Sequence, residues 1–210
     1  MKAHAIRIHE YGGPDVLRYE EIDVPDPGEG EAQVRHTAIG LNFIDTYHRT
    51  GLYPMDLPTG LGSEAAGVIE AVGPGVTDVQ PGDRVVYTGR PADSYSERRN
   101  FPAWQCVRIS YALEDEQAAA AFLKGLTAWY LLRRSYPVKQ GDTVLLYAAA
   151  GGVGSIASQW AKHLGATVIG VGDSGTDSLP ALVRRYLADY VQVRSLWDTQ
   201  AVIGELHGRL

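Results

Sequence analysis

The sequence predicts an α/β chain, with a barrel-like, β-rich first half followed by a parallel-sheet second half. Three observations carry that prediction. Short runs broken by glycine and proline dominate up to about Glu114. Beyond that point strand-like and helix-like segments alternate. A glycine-rich turn, "YAAAGGVG", joins one of those strands to the helix after it. Many short strands with frequent turn residues indicate a small all-β domain, and strand–helix alternation indicates a parallel sheet.

The elements follow in order. "HAIRIHEY" alternates until Gly12-Gly13-Pro14 breaks it, and "VLRYEEIDVP" follows. Pro25 and Pro27 then flank Asp26 in "PDPGEG", which favours an extended connection. "EAQVRHTAIGLN" resumes the pattern, "EAAGVIEAVGPGV" reads as a strand with a glycine turn, and "PGDRVVY" as a turn feeding another strand. From Glu114, "DEQAAAAFLKGLTAWYLLRRSY" is rich in helix formers at helical spacing. "GDTVLLYAA" is a continuous apolar strand of the kind buried on both faces. "VGSIASQWAKHLG" is a helix stopped by Gly165, and "ATVIGVG" a second strand. "SLPALVRRYLA" reads as another helix, "DYVQVR" as a third strand and "LWDTQAVIGELHGRL" as a final helix.

Composition narrows the function classes. The chain has 210 residues, enough for two small domains, with 45% hydrophobic and 21% charged residues. A net charge of −6, not gathered in a tail, gives a phosphate backbone little to hold. No apolar run is long enough to span a bilayer, and "MKAHAIRIHEYGG" has no apolar core after its lysine. The expectation is a cytoplasmic protein with no membrane or nucleic-acid partner. Cys106 is the single cysteine, which excludes an internal disulfide and a multi-thiolate metal site. The six histidines are scattered along the sequence.

The turn carries the first chemical signal. A helix N-terminus offers unpaired N–H groups and the positive end of its dipole to a pyrophosphate. Gly151 lets the backbone approach phosphates, and Gly154 lets the helix pack close to its strand. Ala149 stands where the usual fingerprint has its first glycine. With strand, turn, helix and second strand in order, Ala150, Gly151, Gly152, Val153 and Gly154 form a candidate dinucleotide site. The alternative is a tight turn whose glycines only allow packing. At the end of the second strand, Asp173 with no lysine nearby leans towards NAD, because an acidic residue there takes the ribose 2′-hydroxyl. Arg184 and Arg185 could reach back, although paired helix arginines usually form a solvated face.

Five segments together, "AIGLNFIDTYHRTGLYP", "LPTGLGSEAAGVIEAVG", "GDRVVY", "EQAAAAFLKGLTAWYLL" and "AAAGGVGSIASQWAKHLGA", resemble the NADPH:quinone oxidoreductases. These are the zinc-free, zeta-crystallin-like branch of the medium-chain dehydrogenase/reductase superfamily. The resemblance runs in order from Ile6 to Gly170. It implies a GroES-like β-rich domain at 1–120 and a partial Rossmann domain, a doubly wound parallel sheet, at 121–210. It also implies hydride transfer from NADPH to a quinone or another electron-poor carbonyl compound. On the matching motifs, Asn42 and Phe43 would face the nicotinamide, and Asp45, Tyr47 and Tyr53 would line the substrate side. Glu64, Lys124 and Thr127 would sit at the nicotinamide end. Asn42, Asp45, Tyr47 and Tyr53 are the candidate catalytic residues. Zinc-dependent relatives place a histidine where this chain has Ser63, which implies no metal.

Each residue has a plainer alternative. Asn42 and Asp45 are readable as turn residues with local hydrogen bonds, and the tyrosines as packing. Lys124 is readable as a solvated helix residue and Thr127 as an ordinary one.

The chain also departs from the family pattern. The segment after the second strand becomes "GVGDSGTDSLP", with Asp173 and Ser174 where the adenosine end would bind, and Val193 precedes Arg194. Negative charge near a phosphate opposes NADPH, so NADH stands as the alternative cofactor. The family architecture continues beyond the length of this chain. The expectations are therefore a reductase seen as a C-terminally truncated chain, a homodimer where the full architecture is present, or a non-catalytic scaffold descendant.

Overall fold

The computed structural model describes residues 1–171. Its elements in chain order are β1 (Lys2–Ile8), β2 (Arg18–Asp23), β3 (Glu31–Gly40), α1 (Phe43–Thr50), β4 (Thr59–Gly60), β5 (Glu64–Val72) and β6 (Arg84–Thr88). There follow β7 (Arg98–Pro102), β8 (Val107–Arg108), α2 (Asp115–Trp129), β9 (Thr143–Tyr147), α3 (Gly152–His163) and β10 (Thr167–Val171). A π-helical stretch, Tyr130–Ser135, continues α2, with the Tyr136 N–H donating to the Leu131 carbonyl at 3.1 Å. The chain divides into two compact units, residues 1–123 and 124–210. The helices and strand expected after Val171 lie outside the described residues.

The first unit is built on two antiparallel sheets, β7-β3-β5-β6-β8 and β2-β1-β4. Its main core joins Ala32 and Val34 of β3 with Ala65 and Ile69 of β5, Val85 and Tyr87 of β6, and Phe101 of β7. Tyr87 and Phe101 stack at 4.1 Å between ring centroids, each worth about 2 kcal/mol of apolar burial. The first turns of α2 close a second cluster, with Ala118 and Ala119 packed among Ala66 and Val86.

Four elements are not legible as such in the sequence: the two-residue strands β4 and β8, the strand β7 and the helix α1. β7 reads "RRNFP", and its inward positions are Arg99 and Phe101, so a cation occupies a core position. Arg99 lies 4.8 Å from the Phe101 ring centroid and donates to the Pro91 carbonyl at 3.0 Å, which lets it be buried. The short α1 starts at Asn42 and ends at Gly51, whose φ of 78° closes it in the left-handed region.

Register sets up the site. β3 and β5 run antiparallel so that Gly40 pairs with Glu64, bringing the segment after β3 beside the start of β5. A Cβ at Gly40 would meet the Glu64 carboxyl carbon at 2.8 Å and collide with the Ala119 carbonyl. Glycine there makes room for the carboxylate.

In the second unit β9 and β10 pair in parallel, Thr143 opposite Thr167 through Tyr147 opposite Val171, with α3 as the connection. Small residues let α3 pack closely: Gly154, Ala157 and Ala161 are its buried positions, and the two alanines cluster with Ala128, Leu132 and Val138. Gly165, at φ 86°, follows its end as the sequence predicts. The middle residues of β9 are half-buried rather than buried on both faces. Among the described residues its one ladder partner is β10.

Candidate functional site

Asn42 is the residue before α1, in an extended conformation, and its side chain is directed at β5 rather than only at its own helix. Asn42 Nδ2 donates to Glu64 Oε2 at 2.8 Å, and the other Glu64 oxygen accepts the Leu123 N–H of α2. Glu64 is fully buried. Three elements therefore meet on one carboxylate: α1, β5 and α2.

Asp45 is buried in the first turn of α1. Its Oδ2 accepts the Asn42 N–H at 3.0 Å and the Tyr95 hydroxyl at 2.8 Å. Asp45 thus fixes the backbone that carries Asn42. Burial first, and then the bond to Asp45, push the Tyr95 hydroxyl pKa well above its usual value, so it remains a proton donor to the carboxylate.

The two sides of α1 differ. Phe43 and Tyr47, one turn apart, meet edge to face at 5.3 Å, and Tyr53 meets Tyr47 at the same separation. Phe43 and Tyr53 are exposed, so this is an aromatic surface with open faces. Ile44 and His48, also one turn apart, instead line a cleft of about 860 Å³. Its other walls include Met55, Asp56, Ser63, Thr88, Arg90 and Leu123. The structure brings Asn42, Asp45 and Glu64 together, and separately Phe43, Tyr47 and Tyr53. None of the predicted catalytic residues is among those lining the cleft.

In the second unit, Ala148 to Gly151 form the expected turn between β9 and α3, and Gly152, Val153 and Gly154 open the helix. Gly151 precedes α3 without a side-chain cap on the helix. A Cβ on Gly154 would come within 2.7 Å of the Ala149 Cα and collide with the Ala148 carbonyl. The helix start is pressed against the strand end, as pyrophosphate binding by main-chain N–H groups requires. A Cβ on Gly152 would meet Lys124 Cδ at 2.8 Å, so the Lys124 stem runs along the start of α3. Thr127 is half-buried on α2, three residues on from Lys124. Asp173, Ser174 and Arg194 lie outside the described residues, as do Arg184 and Arg185.

Other titratable groups are structural. Burial pushes the Cys106 thiol up to about 12, with Arg99 opposing, so it is a poor nucleophile. His36 donates from Nδ1 to the Ser96 carbonyl at 2.6 Å, which leaves Nε2 to accept the Tyr87 hydroxyl at 2.7 Å. Among the described residues no group of three or more His, Cys, Asp or Glu side chains could hold a metal ion. No described helix is long and apolar enough to cross a membrane.

Tyr95, bonded to Asp45, and His48 and Arg90, which line the cleft, are residues that the sequence did not single out. Tyr95 and Arg90 sit in "GRPADSYSE", a stretch with no periodicity, and only the fold carries them to α1. His48 was visible inside "DTYHRTG", but four residues after Ile44 it reads as one more position on an amphipathic helix.

A β-rich unit of antiparallel sheets followed by a strand–glycine turn–helix–strand unit defines the class as a GroES-like domain joined to a partial Rossmann domain. The family model for the alcohol dehydrogenase GroES-like domain matches residues 28–111. Quinone oxidoreductase 1 of Escherichia coli is 53% identical over 169 residues, which is 80% of this chain and 52% of that protein. The crystal structure of E. coli quinone oxidoreductase complexed with NADPH matches with a TM-score of 0.80 at 49% identity, covering 87% of this chain and 56% of that one. A mycobacterial structure complexed with NADPH matches with a TM-score of 0.81 at 46% identity, covering 98% and 63%. The chain belongs to the quinone oxidoreductases of the medium-chain dehydrogenase/reductase superfamily. It spans about half the length of the curated relatives it matches.

Proposed function

We propose that the protein is a metal-free, NADPH-dependent quinone reductase that acts on a quinone or a related electron-poor carbonyl compound. The observation that carries the reading is the glycine-rich turn leading into α3, where a Cβ on Gly154 could not be placed without colliding with the Ala148 carbonyl. The residues fit a dinucleotide: main-chain N–H groups at the start of α3 suit the pyrophosphate, and the Lys124 stem beside Gly152 suits its charge. Bound NADPH would supply the hydride, and a proton from solvent would complete the two-electron reduction.

The chain's own residues orient and enclose. Asn42 is the candidate for the nicotinamide edge, held on one side by Glu64 and on the other through the Asp45 grip on its backbone. Asp45 is then a positioning residue acting through Asn42. Phe43 sits beside the nicotinamide, and Tyr47 and Tyr53 offer aromatic faces to a flat quinone. Lys124 and Thr127 complete the cofactor set with Ala150, Gly151, Gly152, Val153 and Gly154. Asp173, Ser174 and Arg194 are assigned to the adenosine end. In this reading the domains are 1–120 and 121–210, the compartment is the cytoplasm and the whole protein works as a homodimer.

The test is a fluorescence titration of the chain with NADPH and, separately, NADH, followed by turnover with 1,4-benzoquinone. Saturable NADPH binding with quinone-dependent oxidation is the expected result. A folded chain that binds neither nucleotide would overturn the reading in favour of a scaffold role.

A further inference from the structure

α1 is too short to fix its own start. It has eight residues, and a helix of that length depends on tertiary contacts for its place. Its far end is tied to the loop after β1. There the Gly12 N–H donates to the Arg49 carbonyl at 3.1 Å, and Arg49 Nε donates to the Gly12 carbonyl at 3.2 Å. Its near end, which carries Asn42, is held by Glu64 and by Asp45. The Glu64 bond fixes the Asn42 amide group, and the Asp45 bond fixes the backbone beneath it.

Asp45 is fixed in turn by Tyr95, whose own place is set without any help from α1. The Tyr95 N–H donates to the Leu61 carbonyl at 2.9 Å, and its carbonyl accepts the Ile6 N–H of β1 at 2.7 Å. Its ring packs against Ile8, Val16 and Leu61. The ring also lies over Gly62, at φ 87°, where a Cβ would come within 2.7 Å of Tyr95 Cε1. From that seat the hydroxyl donates to Asp45 Oδ2 at 2.8 Å, the same oxygen that accepts the Asn42 N–H at 3.0 Å. Asp45 Oδ1 has no hydrogen-bond partner among the described residues, so both bonds fall on one atom. Asp45 is 4% exposed, and hydrogen bonds to an ionised carboxylate are among the stronger ones. Tyr95, Asp45 and Asn42 thus form one line of bonds from β1 to the start of α1.

We propose that Tyr95 is a positioning residue for the cofactor: through Asp45 it sets the direction in which Asn42 meets the nicotinamide ring. This role rests on the reductase reading, in which Asn42 takes that ring edge. A shift of the Asn42 backbone misdirects its side chain, and small errors in geometry are costly where a reacting ring must be aligned. Tyr95 itself touches neither cofactor nor substrate; its effect travels through the carboxylate alone.

The experiment titrates the chain and its Tyr95→Phe variant with NADPH and, in parallel, with 2′-phospho-ADP-ribose, the same nucleotide without its nicotinamide. The variant keeps the ring in its seat and loses only the hydroxyl, and a thermal melt confirms that it folds. The expected result is that NADPH binds the variant about fivefold more weakly, while the fragment binds both chains alike. Asp45→Asn should show the same selective loss, and it carries the test if the Phe variant does not fold. The double variant should lose no more than either single one, because both changes cut one line of bonds. In NMR spectra the Asn42 side-chain amide signal should move when NADPH binds the parent, and move less in the variants. A Phe variant that keeps the parent's ratio of NADPH to fragment affinity, even at lower stability, leaves Tyr95 with packing alone and overturns the role. Losses that add in the double variant overturn it too, as does a parent that binds NADPH no tighter than the fragment. A parent that binds neither nucleotide removes the reductase reading and this role with it. A parent that binds and oxidises NADPH, beside a Phe variant that matches it, removes this role alone.

Discussion

Asn42 Nδ2 donates to Glu64 Oε2 at 2.8 Å, both side chains being buried, and this bond ties the start of α1 to the start of β5. The second Glu64 oxygen takes the Leu123 N–H, so the carboxylate is a junction for three elements. Space for it exists because Gly40 has no side chain. A functional reading of Asn42 and a structural reading of Glu64 therefore converge on one contact.

Replacing Glu64 with Leu should remove the carboxylate that Asn42 Nδ2 and the Leu123 N–H share inside the first unit. The expected loss is about 3 kcal/mol, the cost of removing a buried, charge-assisted hydrogen-bond junction. Glu64→Gln keeps one acceptor oxygen and should lose roughly half as much. Urea denaturation of both variants measures the difference, and a Leu variant as stable as the parent would show that the junction carries no load.

The His36 network makes stability depend on pH. Burial holds the His36 imidazole down at about 4 instead of 6.5, the Ser96 carbonyl opposing and Arg99 adding to the effect. The unfolded chain thus takes up a proton between about pH 6.5 and 4 that the folded chain does not. The stabilisation is complete above 6.5, declines as pH falls through that window and levels off below about 4, for a total of roughly 3 kcal/mol. An NMR titration of the His36 ring should give a midpoint near the lower end, and one near 6.5 would contradict it.

Much of this was legible in the sequence because it rests on local rules. β1, β2, β3, β5, β6, β9, α3 and β10 follow from alternation, apolar runs and glycine punctuation, and the glycine-rich turn from its place between a strand and a helix. The elements missed are those whose logic is tertiary. β7 buries Arg99 against Phe101, which inverts the hydrophobic pattern, and α1 has only eight residues, several of them aromatic or β-branched. Of the site, Asn42 and Glu64 were individually visible, but their pairing depends on the β3–β5 register. The resemblance assigned Asp45 to the substrate side, and in the structure its Oδ2 also accepts the Asn42 N–H and the Tyr95 hydroxyl, bonds that no sequence pattern announces.

Gly154 offers a test of the nucleotide turn. Even Ala there would bring its Cβ against the Ala148 carbonyl and the Ala149 Cα, forcing α3 away from the end of β9. Gly154→Val should weaken NADPH by about tenfold or more, equivalent to at least about 1.4 kcal/mol. Gly125→Ala is the control, because a Cβ there meets nothing within 4 Å. A Gly154 variant that titrates like the parent would mean that the turn does not carry the cofactor.

Tyr53 separates packing from recognition. It is 47% exposed and touches Tyr47 edge-on, so truncation removes little buried area. Tyr53→Ala should lower stability by less than about 1 kcal/mol, yet raise the KM for 1,4-benzoquinone severalfold through the loss of a flat apolar face. Tyr53→Phe should behave like the parent if the ring face is what the quinone uses. A Phe variant as poor as the Ala variant would move the role to the hydroxyl. An Ala variant with unchanged KM and a large loss of stability would return Tyr53 to packing, and with it the aromatic side of α1.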